Sequence, residues 1–490
     1  MDHLQIISYT SLVEDLPLLV GLFISVLVYA AYRIWARHEA ARARSSSLPA
    51  ELPSEKARYA SAKDRAPGEW LPVKFDYPRV EPSPAHFSAL KPIPYRPFKW
   101  GDYHVTMGIK SMPWDEWIEL DDEFAQTHRV CEYRIRTLGD RLVRVHPAQP
   151  GVVESGHAAA EECMYELAEY LSRRHPDVYR VARHPVSQRE DENGWYGEGR
   201  IRTITIVPFQ ETYDLEKEEP LKVARSLIQE DFTIMVEGSD GRYYLQAGAV
   251  VIAGSWRLSD KIGMPLEDIH ISGNVPQYKS KLQMSMDRFF RRMPLDRPVV
   301  RNNYSFQLVA EPSMRRPPPA PGSLLDVDPD ELAWAVTMNG DEENAEYERA
   351  RHISDQCGDS QPESGSRETQ AQAQTHEETG SMFKLATVGC AVTPATLRLR
   401  TERQTLRRLP RTGAIVFTIR VYQTRLDELA SEPGVPGRAA SAIRSWPEDV
   451  ARYKARGAYE GILPYLDQCH AEQVAKGIVG EEDRKSDYPF

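Results

Sequence analysis

The sequence predicts an α+β fold, with an antiparallel sheet and flanking helices, preceded by one N-terminal transmembrane helix. Asp231 to Glu237 and Arg242 to Val251 are strand-like runs. The glycine-bounded stretch Gly238–Gly241 between them is typical of a β-hairpin. A continuous apolar, charge-free run from Leu16 to Tyr32 predicts the transmembrane helix, because a span needs about 20 apolar residues.

A second pair of strands is predicted near the C-terminus. Apolar and polar side chains alternate through residues 397–402 and again through 415–421. Only the turn at 409–413 stands between these two elements, so they are expected to pair. Residues 202–207 alternate in the same way and predict one more strand.

Three stretches favour helices. Glu161 to Arg174 carries apolar side chains at helical spacing and stops before Pro176. Five apolar residues between Leu282 and Met293 form one helix face. Ser445–Glu448 has the pattern of a capping box at the start of a further helix.

Composition limits the class of protein. The chain has 490 residues, of which 41% are apolar and 27% charged, as in ordinary soluble proteins. The net charge of −11 argues against nucleic-acid binding. Its five cysteines are scattered without metal-ligand spacing, which indicates a reducing compartment and no disulfide framework.

The charges around the apolar run predict its orientation. Glu14 and Asp15 precede it, whereas Arg33 and Arg37 follow, so the C-terminal part is expected in the cytosol. A signal peptide would carry basic residues before the run and a cleavage site after it. A buried core helix is the other alternative, but no amphipathic partner lies nearby. We expect a single-pass anchor in the endoplasmic reticulum, with the mitochondrial outer membrane and a bacterial inner membrane as alternatives.

The sequence divides into six segments on composition. We predict a transmembrane anchor at 1–35 and a tether with a Pro- and aromatic-rich segment at 36–100. The first part of an α+β domain follows at 101–310, and a Pro-rich, disordered insertion at 311–380. The second part of the same domain is predicted at 381–475 and a tail at 476–490.

The common catalytic signatures are absent from the sequence. It contains no GxSxG, P-loop, HExxH or dinucleotide-binding glycine motif. The thirteen histidines are mostly isolated, so their spacing does not predict a multi-histidine metal site.

Several separate motifs carry a resemblance to a known family. They are Gln229–Asp231, Trp256–Gly263, Ile269–His270, Val275–Tyr278, Arg301–Tyr304, Arg400–Pro410, Ile415–Tyr422 and Ser441–Pro447. In this order they resemble the haem-dependent oxidative N-demethylase family of fungi and bacteria, over about residues 90–310 and 380–470.

The resemblance implies a PAS-like antiparallel sheet that binds haem b. It also implies a monooxygenase that uses oxygen to remove a methyl group, as formaldehyde, from a small secondary amine or other small metabolite. Electrons would come from a separate flavin and iron–sulfur reductase. The alternative is a non-catalytic haem-binding PAS-type sensor or interaction module, and a third reading is a scaffold that has lost the cofactor.

Candidate site residues follow from the resemblance together with side-chain chemistry. His270, predicted in a loop, is the candidate axial ligand of the iron. Arg301 and Lys261 are candidates for binding the haem propionates, and Glu402 for holding an amine cation. The alternatives are a histidine satisfied within the protein, a structural salt bridge, and a solvated charge on the strand.

Three more residues are candidates, and two of them have two interpretations. Trp256 and Tyr278 would line the haem, although core packing is the commoner role of aromatic residues. Asp231 is expected to be a surface acid at a strand end.

Overall fold

The computed structural model describes residues 65–188, 193–309, 332–333 and 392–480, which all belong to one structural unit. Within these ranges the fold is α+β, as predicted, and every strand pairing is antiparallel.

Ten strands form two sheets in the described part of the chain. Seven of them make the main sheet, in the spatial order β1-β8-β9-β10-β6-β7-β2, and β3-β4-β5 make a small second sheet. The strands are β1 Lys110–Ser111, β2 Val143–Val145, β3 Tyr179–Arg183, β4 Ile201–Ile206, β5 Glu211–Asp214, β6 Asp231–Glu237, β7 Tyr243–Ala249, β8 Val299–Leu308, β9 Leu397–Arg408 and β10 Ile415–Arg425.

Nine α-helices flank the sheets in the same ranges. They are α1 Phe124–Leu138, α2 His157–Arg174, α3 Pro220–Ser226, α4 Leu266–Ser272, α5 Gln283–Arg292, α6 Leu426–Ser431, α7 Val435–Arg444, α8 Glu448–Tyr453 and α9 Leu463–Ala475. A single π-helical turn, Tyr278–Leu282, leads directly into α5. Such turns are rare and frequently occur at functional sites.

The connections between strands place helices on the main sheet. Strands β6 to β10 lie in the order β7-β6-β10-β9-β8, which is 2-1-5-4-3 when numbered along the chain. Helices α4 and α5 and the π-turn form the connection between β7 and β8.

The main sheet is covered on both faces. On the face that we call the α5 face, Met235, Leu406 and Ile415 belong to the same buried cluster as Met286 and Phe290 of α5. On the opposite face, the α2 face, side chains such as Phe232, Ile234 and Val416 join the core with α2. A third cluster holds the C-terminal helices against the ends of β8 and β9.

Several predicted elements are confirmed. The hairpin appears as β6 and β7, and the C-terminal pair appears as β9 and β10, joined by residues 409–414. The helix predicted at 161–174 is the C-terminal part of α2. Tyr77, in the predicted Pro- and aromatic-rich segment, stacks on Trp195 with ring centroids 4.2 Å apart.

The transmembrane helix in the predicted fold class is corrected. Across the described ranges, no helix is long and apolar enough to cross a membrane. The apolar run from Leu16 to Tyr32 lies outside the described residues, as does nearly all of the predicted insertion at 311–380. The fold class that the structure supports is α+β with antiparallel sheets.

Two local predictions are wrong. The helix predicted at Ser445–Glu448 is present as α8, but the capping box is wrong: Pro447 is the N-terminal cap residue and makes no side-chain capping bond. The Ser445 hydroxyl instead donates to the Ala442 carbonyl. Asp231 is buried rather than a surface acid. It pairs with Arg225, and its carboxylate accepts hydrogen bonds from the backbone N–H groups of Val251 and Ile252.

Candidate functional site

The site residues proposed from the sequence come together on the α5 face. Arg301 on β8 is opposite Gln404 of β9, and Asn303 is opposite Glu402, so these four side chains share one face of the sheet. Helix α4 and the π-turn bring His270 and Tyr278 to the same side.

His270 lies on helix α4, which corrects the loop predicted for it. Its Nδ1 is 2.7 Å from the carbonyl oxygen of Leu266. Because a carbonyl only accepts hydrogen bonds, Nδ1 carries the hydrogen and the lone pair of the neutral ring is on Nε2. Among the described residues Nε2 has no hydrogen-bond partner.

The electrostatic surroundings keep His270 neutral. Burial lowers the pKa of His270 to about 4, and the positive charges of Lys261 and Arg301 act in the same direction. Metal-binding histidines commonly donate their second ring N–H to a carbonyl in this way, since that fixes the tautomer and the ring orientation. The imidazole is therefore prepared to act as a ligand through Nε2.

Aromatic rings flank the histidine. The ring of Tyr278 stacks on His270, with centroids 4.8 Å apart and planes 9° from parallel. Tyr278 is 3% exposed and its hydroxyl is buried without a hydrogen-bond partner. Trp256 is partly buried, and Nζ of Lys261 lies 4.6 Å from the centre of its ring.

The side chain of Arg301 has fewer partners than the other cations of the site. Its Nε is buried without a hydrogen-bond partner, and no described residue forms a salt bridge with it. Burial lowers the pKa of Arg301, while the negative charge of Glu402 opposes that change. Arg301 as a whole is only partly buried, and a bound anion would compensate its charge.

Glu402 is held in place rather than solvated. Its Oε1 accepts a hydrogen bond from Nε of Arg400 at 3.1 Å, and its Oε2 accepts one from Nε2 of Gln404 at 2.9 Å. As predicted, Glu402 points away from Leu399 and Thr401. The side chain of Glu402 is 17% exposed. Each carboxylate oxygen retains room for a further donor.

The sequence analysis missed the residues that close this site at the edge of β8. Lys454 is buried, and its Nζ donates to the carbonyl of Tyr304. Burial lowers the pKa of Lys454 to about 8, against the attraction of Glu402. Burial, and then the charge of Glu402, raise the pKa of Tyr453 to about 12. No sequence motif indicated these two residues, which approach the sheet only through helix packing.

The chemistry of this arrangement fits a ligand that carries its own metal and anionic groups. In the described ranges, no group of three or more His, Cys, Asp or Glu side chains could hold a bare metal ion. Haem iron needs only one protein ligand. His270 provides one nitrogen, and the unsatisfied donors on Arg301 and Tyr278 provide partners for acidic or polar groups of a ligand.

The fold and these residues define an α+β protein with a candidate ligand site between an antiparallel sheet and its covering helices. A family model, haem-dependent oxidative N-demethylase, alpha subunit-like, matches residues 108–343 and 362–463. The chain belongs to this family, and the resemblance found in the sequence is confirmed. The family is one of haem-dependent oxidoreductases, which supports a haem cofactor for this chain.

Proposed function

We propose that this protein binds haem b on the α5 face and uses it to remove a methyl group oxidatively from a small amine. The observation that carries the proposal is His270, a neutral histidine with Nδ1–H bound to a carbonyl and Nε2 without a partner. It lies beside Arg301, a cation that lacks a counterion within the described residues.

Each side chain has a defined task in this proposal. His270 would bind the iron through Nε2, and Tyr278 would fix the plane of its ring. Arg301 and Lys261 would bind the propionates, because guanidinium and ammonium groups form charge-assisted hydrogen bonds with carboxylates. Trp256, whose ring Lys261 contacts, would pack against the haem.

Glu402 is the proposed substrate-binding group. Arg400 and Gln404 fix its carboxylate in one orientation on the sheet. An alkylammonium ion would donate a hydrogen bond to the remaining acceptor positions of that carboxylate, which would orient its methyl group toward the cofactor. Haem, when bound, supplies the oxygen-activating chemistry. The protein would position the cofactor and the amine in a site of low solvent access.

The first test is an absorption spectrum of the full-length chain, expressed with a haem precursor, beside His270→Ala. The wild type is expected to show a Soret band. His270→Ala is expected to lose it or shift it, and free imidazole should restore the band by occupying the vacated position. His184→Ala is a matched control, because that side chain is 39% exposed and pairs with Glu216.

The outcomes separate the alternatives. A Soret band unchanged in His270→Ala would retain the haem but refute His270 as its ligand. No band in the wild type would favour a chain that has lost the cofactor. A haem protein that releases no formaldehyde from small N-methylamines, when supplied with oxygen and a reductant, would favour the non-catalytic sensor.

A further inference from the structure

We propose that the exposed side of the π-turn and helix α5 is the docking surface for an acidic electron-donor protein. This inference rests on the proposed function. The reaction R₂N–CH₃ + O₂ + 2e⁻ + 2H⁺ → R₂NH + HCHO + H₂O places one oxygen atom in formaldehyde and the other in water. Two electrons must therefore arrive from a donor, which we take to be a flavin or iron–sulfur protein.

The surface is strongly basic although the chain is acidic. From Tyr278 to Arg292 the sequence has five cations and one acid, Asp287, whereas the whole chain has a net charge of −11. We call the four exposed cations of this stretch the basic strip: Lys279, Lys281, Arg288 and Arg292.

The cations of the basic strip are not used within the protein. None of the four side chains forms a salt bridge or hydrogen bond with another described residue. Elsewhere on the surface such pairs are common, as with Arg444 and Asp467. Unpaired, exposed charges of one sign steer a partner of opposite sign, and they do so best when the remaining surface repels it.

An apolar centre accompanies the charges. Met284 is 77% exposed and lies between Lys281 and Arg288 along the helix, at spacings of three and four residues. Ile271 on the neighbouring helix α4 is 37% exposed. Apolar side chains surrounded by charged ones are the usual anatomy of a specific interface.

The strip adjoins the proposed haem ligand. Lys279 directly follows Tyr278, whose ring is stacked on His270. On the inner side of α5, Met286 and Phe290 are buried in the cluster that covers the sheet. A donor seated on the strip would therefore be separated from the site by one layer of helix. The family description, an alpha subunit, agrees with a chain that works beside another protein.

The test compares two charge-reversal variants of the full-length, haem-loaded chain. Lys279→Glu/Lys281→Glu/Arg288→Glu changes the strip. Lys222→Glu/Arg180→Glu/Arg202→Glu makes the same change of charge at exposed residues of α3, β3 and β4. The probe is a reduced plant-type ferredoxin with an acidic surface, and the readout is the rate of haem reduction in a stopped-flow instrument at several salt concentrations.

We expect the strip variant to be reduced at least about tenfold more slowly than the wild type at low salt, with a weaker salt dependence. The control variant should stay within about twofold of the wild type. Dithionite, a small chemical reductant, should reduce all three proteins at one rate, and their Soret bands should agree.

Equal reduction of the strip variant and the wild type by ferredoxin would overturn the docking surface while leaving the haem proposal intact. Equal slowing of both variants would also overturn it, since only the net charge would then matter. Loss of binding to phosphatidylserine vesicles in the strip variant, with ferredoxin reduction unchanged, would make the strip a lipid contact instead. A wild type without haem would refute the proposed function, and the docking proposal with it.

Discussion

Arginines lie on both faces of the main sheet, but they differ in how their side chains are paired. On the α2 face Arg403 pairs with Glu119, Arg407 with Glu166 and Arg420 with Asp121. On the α5 face the buried Arg400 pairs with Glu402, whereas the partly buried side chain of Arg301 has neither a salt bridge nor a hydrogen bond within the described residues.

The pairing on the α2 face is extensive. Glu166 accepts hydrogen bonds from Arg407, from the hydroxyl of Tyr77 and from Nε1 of Trp195. The guanidinium carbon of Arg407 also lies 4.4 Å from the centre of the Trp117 ring. This face supplies its own counterions, so its charges are part of the folded scaffold.

The α5 face is incomplete by comparison. The buried Nε of Arg301 lacks a hydrogen-bond partner, which costs free energy in the isolated chain, and Nε2 of His270 is free to bind a ligand. The contrast teaches that burial of an arginine does not indicate function by itself. The absence of a partner within the protein is the informative property.

The largest expected effect comes from breaking a pair on the α2 face. Glu166→Ala should lower the free energy of unfolding by about 3–5 kcal/mol, because it leaves Arg407 buried without a counterion. Denaturation by urea measures this change. Glu198→Ala is the control: its carboxylate is half exposed and pairs with Arg173, so a loss below about 1 kcal/mol is expected. Similar losses in the two variants would refute the structural role assigned to the α2 face.

Replacing Arg301, whose side chain has no partner among the described residues, should not destabilise the chain. Arg301→Met is expected to leave the free energy of unfolding of the haem-free chain unchanged, or to raise it by about 1 kcal/mol, since an uncompensated charge is removed. Its affinity for haem should fall about 10- to 100-fold, as expected for the loss of one charge-assisted hydrogen-bonded pair. Haem titration followed at the Soret band measures the affinity.

Arg301→Lys separates charge from shape in that experiment, because it retains the cation but not the planar fork. It should bind haem more tightly than Arg301→Met and less tightly than the wild type. A strongly destabilised Arg301→Met with normal haem affinity would show that Arg301 is structural, and the contrast between the faces would then fail.

The smallest expected effect concerns Glu402. Glu402→Gln should keep the haem content of the wild type but lose some stability, since it removes the counterion of the buried Arg400 and sets an amide N–H against one of the two donors that the carboxylate accepts. Formaldehyde release from a small N-methylamine should show a KM raised about tenfold or more, because the attraction to the ammonium ion is lost. An unchanged KM would remove Glu402 from the substrate site.

Local sequence pattern determined much of this protein. The period-two alternation in β9 and β10, the glycine-bounded turn between β6 and β7 and the helical spacing of α2 are local properties, so the sequence predicted these elements correctly. The family motifs led to His270, Arg301 and Glu402, because resemblance selects residues without needing their distances.

Only the tertiary structure decided what these residues contact. The tautomer of His270 follows from a carbonyl one helical turn away, which the prediction of a loop did not provide. Whether a charge is paired depends on residues far apart in the chain, as with Arg407 and Glu166, which are separated by 241 positions. Lys454 and Tyr453 reach the site through helix packing at the edge of β8, and the predicted surface acid Asp231 became a buried counterion of Arg225 for the same reason. Sequence periodicity specifies which way a side chain points, whereas its electrostatic partner is fixed only when the chain closes on itself.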